Sequence, residues 1–270
     1  MTALAAGAPR TRTASAPRLS FARVLRSEWV KLSTLRSTWW SIGIVAVLTV
    51  GIATLLAQAV NTPDFPPMQI VVAPIQFTML LAGILGAISV TGEYATGMIR
   101  STLAADPRRG SVLAGKAIVV AAFLFAASFA IFLVTALVVT PILAGKGMTL
   151  PWDDVAAAWL PLISASFSMA VFALIGVAFG FLLRSGAGAI AATVGVLFVL
   201  PLVVSVFPST DPAWKWVVDL GAYLPMSASQ NLVLPQDEGG LSAPVALVTL
   251  CGWVVAGMLA AWTALRVRDA

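Results

Sequence analysis

The chain has 270 residues, of which 60% are hydrophobic and only 10% charged, with a formal net charge of +5. A soluble domain would carry about 25% charged residues, so most of this chain, with a mean hydropathy of +0.98, is built for lipid. One Cys and no His exclude an intrachain disulfide, Cys/His zinc spacing and His-based catalysis.

Residues 1–18 are Ala, Pro, Thr, Ser and Arg without periodicity, which predicts a disordered basic tail. Residues 19–38 form the next segment. At 100° per residue Phe21, Val24, Leu25, Trp29, Leu32 and Leu35 fall within about 140° of one another, with Arg23, Arg26, Ser27, Lys31 and Thr34 opposite. The pattern predicts an amphipathic interfacial helix, its basic face toward lipid headgroups; a leader that only sets orientation is the plainer reading. Glu28 sits inside the apolar arc, where either a pair with Lys31 or contact with a partner protein would explain it.

A six-span domain follows over 39–265, with spans near 39–60, 70–90, 116–143, 159–183, 187–207 and 243–265. A charged side chain at a span centre costs about 2.5–3.5 kcal/mol, and none of these cores holds one. Ala57-Gln58-Ala59 resembles a signal cleavage site, but the apolar run exceeds the usual 7–15 residues, so span 1 is read as a retained anchor. Every Lys and Arg except Lys146 and Lys215 falls on the side of the termini, which places both termini, including the 266–270 tail, in the cytoplasm.

The 91–117 interruption holds Glu93, Arg100, Asp106, Arg108, Arg109 and Lys116. Its Gly110 to Gly115-Lys116-Ala117 run approaches a phosphate loop, yet lacks the final Ser or Thr, the preceding strand and a second metal ligand. Instead, the helix of span 2 is predicted to run on to about residue 105, turn at Asp106-Pro107 and re-enter as span 3 with Ser111 as cap. The result is a cytoplasmic elbow with Arg100, Arg108 and Arg109 at its tip, suited to docking; a turn that merely carries orienting charges would need fewer residues.

Inside the spans, Gly176 and Gly180 form a GxxxG, and Ala122, Ala126 and Ala130 a second small-residue ladder. Either close packing within the chain or a dimer interface would use them. Ser164 and Ser168 are expected to bond backbone carbonyls, and Cys251 to be a packed thiol. Gln58 and Gln76 are weak candidates for a substrate route. Between spans 5 and 6, Asp211-Pro212 starts one short helix that Gly221 can end, and Pro225 opens another through Asn231. Trp214, Trp216 and Tyr223 suit a lipid–water boundary, so two re-entrant helices or an ordinary surface loop fit.

Ser27-Glu28-Trp29-Val30-Lys31-Leu32, then Arg36-Ser37-Thr38-Trp39-Trp40, and Thr91-Gly92-Glu93-Tyr94-Ala95-Thr96-Gly97-Met98-Ile99-Arg100 resemble the membrane subunits of bacterial type-2 ABC transporters over nearly the whole chain. The resemblance implies an all-α membrane protein: a connecting helix containing Glu28, Trp29 and Lys31, six spans, a coupling helix after span 2, and re-entrant helices before span 6. It also implies an exporter permease in a bacterial inner membrane that pairs with a second permease chain and a separate ABC ATPase. Coupling would fall on Gly92, Glu93, Tyr94, Gly97, Arg100, Arg108 and Arg109, with Glu93 joining connecting and coupling helices. ATP and Mg would be bound by the ATPase, leaving this chain without cofactor, metal, catalytic residue or nucleic-acid partner. A non-transporting scaffold is the alternative; an intramembrane enzyme would need paired Asp, Ser-Lys or metal ligands within the spans.

Overall fold

The computed structural model describes residues 20–62, 65–106, 108–208, 212–234 and 240–267, with no strand among them. The tail at 1–18 and the Asp211 helix start lie outside these residues, as do Pro107 and the last three residues of the predicted C-terminal tail. Helix α1 is Phe21–Thr34, and α2 is Arg36–Ala59. Leu35 separates them with an extended backbone, so the predicted 19–38 helix ends early and residues 36–38 belong to the first span.

The second span is two helices, α3 (Pro67–Val72) and α4 (Ile75–Ala95), broken at Ala73-Pro74, where Pro74 brings no N–H to continue the ladder. The elbow is also broken. Gly97 adopts φ +70°, a conformation that favours glycine, and α5 (Met98–Ala105) starts anew beyond it. A continuous helix from span 2 to residue 105 is therefore corrected to two helices around a glycine pivot.

Helix α6, Arg109–Ala144, runs 36 residues, or about 54 Å at 1.5 Å per residue against a hydrocarbon core of about 30 Å. Its first turns thus stand beyond the apolar layer. Ser111 lies inside its first turn rather than at the cap: its hydroxyl is within reach of two acceptors for its one proton, an Asp106 carboxylate oxygen and the Arg108 carbonyl, while Asp106 Oδ1 accepts the Arg108 N–H at 3.0 Å. Asp106 thus closes the turn predicted for it.

A π-helical turn, Val155–Trp159, leads into α7 (Leu160–Leu183), with Asp154 accepting from the N–H groups of Ala156 and Ala157. The fifth span comprises α8 (Gly186–Val194), a second π-helical turn (Gly195–Val199) and α9 (Leu200–Ser205). Helices α10 (Lys215–Gly221) and α11 (Pro225–Val233) precede α12 (Ala243–Val267). Six segments among the described residues are long and apolar enough to cross a membrane. Helix α11 folds back onto α7 and α12, while Trp214, Trp216 and Tyr223 are exposed.

Helix α7 is the centre of the bundle, packed on α4, α6, α8, α11 and α12. Its seam with α4 depends on missing side chains. A Cβ built on Gly176 would lie 1.9 Å from the Gly83 carbonyl oxygen, one on Gly86 2.0 Å from that of Ala173, and one on Gly180 2.8 Å from Val90 Cβ. The GxxxG is therefore spent inside the chain, where glycines let backbones touch. Ala122, Ala126 and Ala130 instead face outward on α6. Cys251 is exposed on α12, which corrects the packed-thiol expectation: α12 turns much of its surface away from the bundle. Ser164 bonds the Leu160 carbonyl, but buried Ser168 Oγ has no hydrogen-bond partner among the described residues.

At the end opposite α1, Lys146 closes α2: its Nζ donates to the carbonyls of Gln58 (2.6 Å) and Val60 (2.7 Å) and to Asn61 Oδ1 (3.2 Å). Gln58 and Gln76 are both exposed, and Gln76 also lines a cavity of about 330 Å3 with Gln69 and Gln230. Overpacking a tight core typically costs about 1–3 kcal/mol. Gly176→Ala is expected to destabilise the fold by at least that much, read as a lowered thermal unfolding midpoint in detergent. Gly252→Ala, where a new Cβ meets nothing within 4 Å, is expected to leave it unchanged or raise it.

Candidate functional site: a buried charge quartet

Four charges from three helices meet where α1 crosses the bundle. Glu28 of α1 is buried on the arc of apolar residues, as are Glu93 at the end of α4 and Lys116 two turns into α6. Lys116 Nζ lies 2.6 Å from Glu28 Oε2 and 2.7 Å from Glu93 Oε1. Lys31 Nζ, one turn beyond Glu28, lies 2.7 Å from Glu28 Oε1 and 3.0 Å from Glu93 Oε1. Each lysine has a third acceptor, the Ser89 carbonyl at 3.1 Å for Lys116 and Thr102 Oγ1 of α5 at 3.4 Å for Lys31. The set is electrically neutral and joins α1, α4, α5 and α6.

Two sequence expectations change here. Glu28 pairs with Lys31 as supposed, but its burial against Lys116 leaves no surface for a partner protein. Lys31 turns inward from the basic face to which its spacing assigned it. Burial by itself would raise the Glu28 carboxyl; Lys116 first and Lys31 second outweigh it and hold the group below its ordinary value. Burial likewise works against the Lys31 ammonium, and Glu28 and then Glu93 raise it above its ordinary value.

Lys116 is the member of the quartet that sequence reasoning missed, having been weighed only as part of the failed phosphate loop. Its ammonium is committed to carboxylates. The signal was Glu28: an acid on an apolar arc calls for a buried base, and Lys116 opens the apolar stretch of span 3. Gly115 beside it lets α1 approach, since a Cβ there would lie 2.7 Å from Val24 Cγ1.

The remaining predicted residues separate into two groups. Arg100, Arg108 and Gly92 are exposed, and α5 turns Met98, Arg100, Ser101 and Ala104 outward while burying Ile99. Gly97 makes the pivot. Arg109 instead turns to the C-terminal end of α12, donating to the Leu265 carbonyl and, at 3.4 Å, to that of Arg266. Arg184, in the left-handed region at φ 54°, reaches the Ala264 carbonyl at 3.4 Å and stands 5.4 Å from the Tyr94 ring centre. These two cations meet the negative end of α12 and tie it to α4, α6 and α7; Tyr94 belongs to this intramolecular cluster. Trp29 packs edge-on against Phe123 at 5.7 Å.

Fold and site together define a multi-pass helical membrane protein with a short exposed helix fixed to the bundle by buried charges. The family model described as ABC-2 family transporter protein matches residues 23–269, and the chain belongs to that family. No curated protein matches it. It is an ABC-2 type permease, a membrane transport component of a family whose members in general pair with an ATPase subunit and dimerise.

Removing one member of a buried ion set costs about 3–5 kcal/mol, because it leaves a charge uncompensated. Lys116→Met is therefore expected to lower unfolding stability by that amount in detergent, whereas Arg100→Met leaves it unchanged. The pH profile follows from the shifts. Glu28 contributes fully above its ordinary 4.5 and loses this as pH falls through the lower folded value. Lys31 contributes fully below its ordinary 10.5 and loses this as pH rises through the higher folded value. The unfolding midpoint should be flat from about pH 5 to about pH 10 and fall on both sides, with Glu28→Gln flattening the acid limb.

Proposed function

We propose that this chain is the permease subunit of an ATP-driven exporter, forming half of a translocation pathway that a separate ATPase works through α5. The carrying observation is that α5 exposes Met98, Arg100, Ser101 and Ala104 while its inner side is held, through Lys31 and Thr102, to a charge set shared by α1, α4 and α6. Force applied at such an elbow reaches two spans at once. Clustering of Lys and Arg at this end supports a cytoplasmic position for it, and hence for both termini, in a bacterial inner membrane.

In this reading α5 is the coupling helix and α1 the connecting helix. Arg100 and Arg108 meet the ATPase, while Glu28, Glu93, Lys31 and Lys116 carry displacement inward. ATP and Mg belong to the ATPase. A second permease chain, identical or not, completes the pathway, and the export direction rests on the family resemblance. A scaffold that recruits the same partner without transport would use the same exposed helix.

Arg100→Glu and Arg108→Glu are expected to insert and fold normally yet reduce co-purification with the ATPase at least tenfold, about 1.4 kcal/mol. Wild-type association in both variants would place docking elsewhere. In the intact complex, hydrolysis should rise when the permease is present; a complex that forms without any rise would select the scaffold.

A further inference from the structure

The cavity of about 330 Å3 at the end opposite α1, between α2, α3, α4 and α11, is within the usual range for ligand sites of about 300–1,000 Å3. Its walls are mostly apolar, with Leu56 of α2, Val72 at the helix break and Val233 of α11. The polar side chains among its lining residues are three glutamines: Gln69 of α3, Gln76 of α4 and Gln230 of α11. None of the three amides has a hydrogen-bond partner among the described residues. The next residue of α11 behaves differently: the Asn231 amide donates to the Ser227 carbonyl at 2.8 Å. Gln69 and Gln230 are half-buried, yet their amide atoms keep accessible surface, and Gln76 is exposed, so these groups are reachable.

No charged side chain is among the lining residues, so an ion entering the cavity would lose water without gaining a counterion. Each primary amide is uncharged and carries two N–H donors and a carbonyl acceptor. A fitting ligand is therefore uncharged and both gives and accepts hydrogen bonds at several points. Ethers and esters only accept, which leaves the amide carbonyls unmet, whereas a hydroxyl does both with one atom. The amides come from three helices around one compact volume, which suits a ring bearing hydroxyls on several sides. An extended peptide presents its groups along a line and calls for a sheet edge or a groove. The apolar walls, with Phe65 as their aromatic ring, meet the C–H faces of such a ring.

We propose that this cavity binds an uncharged glycosyl group, whose hydroxyls are shared among Gln69, Gln76 and Gln230. A glycolipid headgroup and a free sugar bring the same chemistry to it. A sugar acid of the same size carries a charge that the walls do not answer, and a methylated sugar has no O–H to give, so the site rejects both. The cavity lies at the far end of the bundle from the elbow, and binding there does not depend on whether α5 docks an ATPase.

The test is native mass spectrometry of the full chain released from phosphatidylcholine nanodiscs. These hold equal amounts of glucosyl, per-O-methylglucosyl and glucuronosyl diacylglycerol with matched chains. Retention of the glucosyl lipid should exceed that of either other about tenfold, equivalent to about 1.4 kcal/mol. Gln69→Leu combined with Gln230→Leu should abolish the preference, and Gln230→Lys, which supplies a counterion, should turn it toward the glucuronosyl lipid. If neither variant folds, Gln76→Leu, at an exposed position of α4, decides: it should lower the ratio about threefold, the loss of one net hydrogen bond. Displacement of the glucosyl lipid by methyl glucoside shows that a free sugar suffices; retention against it assigns the lipid headgroup. Equal retention of the three lipids, stronger retention of the glucuronosyl lipid by the wild-type chain, or a preference that survives the leucine substitutions would each overturn the assignment.

Discussion

Two carboxylates and two ammonium groups packed between α1, α4 and α6 set the terms for the rest of this structure. Taking each ion out of water costs several kcal/mol, and mutual attraction returns that cost only when the geometry is close and the remaining donors are used. Here the contacts run from 2.6 to 3.0 Å and all six lysine N–H groups have acceptors. Such a set adds little net stability over a well-packed apolar core, but it tolerates only one arrangement. Sliding α1 by a turn would separate Glu28 from Lys116 and strand two buried charges. The quartet therefore sets where α1 lies, and through Thr102 it also constrains α5.

Beneath it, the α4–α7 seam supplies stiffness by a different route. Gly83, Gly86, Gly176 and Gly180 remove side chains where the two backbones meet, so dispersion contacts replace hydrophobic sorting, which has no purchase among lipid tails. Lys146 at one end, and Arg109 and Arg184 at the other, close the C-terminal ends of α2 and α12. The helices are interrupted at the Ala73-Pro74 break, at Gly97 and at the two π-helical turns. In the proposed role, displacement of α5 would pass through the quartet into α4 and α6 as a rigid-body movement, with those breaks absorbing the change in angle.

Much of the fold was legible because lipid imposes one strong rule: a spanning segment must be apolar and helical. The six segments, the two short helices before α12 and the turn at Asp106 all follow from that rule and from the positions of proline and glycine. The breaks were harder to see. Pro74 lies inside a run that reads as unbroken by hydropathy, and whether Gly97 bends a helix depends on what the far side must reach. Glu28 was recognisable as anomalous and Lys31 as one partner, yet its buried counterion Lys116 lies 88 positions away, and no local period encodes such a pairing. The resemblance placed Glu93 between the connecting and coupling helices; only the packed structure supplies Lys116 as its counterion. Arg109 shows the converse, a charge that composition assigns to the elbow tip but that the C-terminal carbonyls of α12 draw inward.

Through the quartet, α1 and the α4–α5 elbow form one energetic unit. A double-mutant cycle on Lys31→Met and Glu93→Gln, read from unfolding free energies in detergent, addresses it most directly, because the pair bridges α1 and α4 at 3.0 Å. Contacting residues in a network couple by about 0.5–3 kcal/mol, and a value above about 1 kcal/mol is expected for this pair. Additivity within about 0.3 kcal/mol would contradict it.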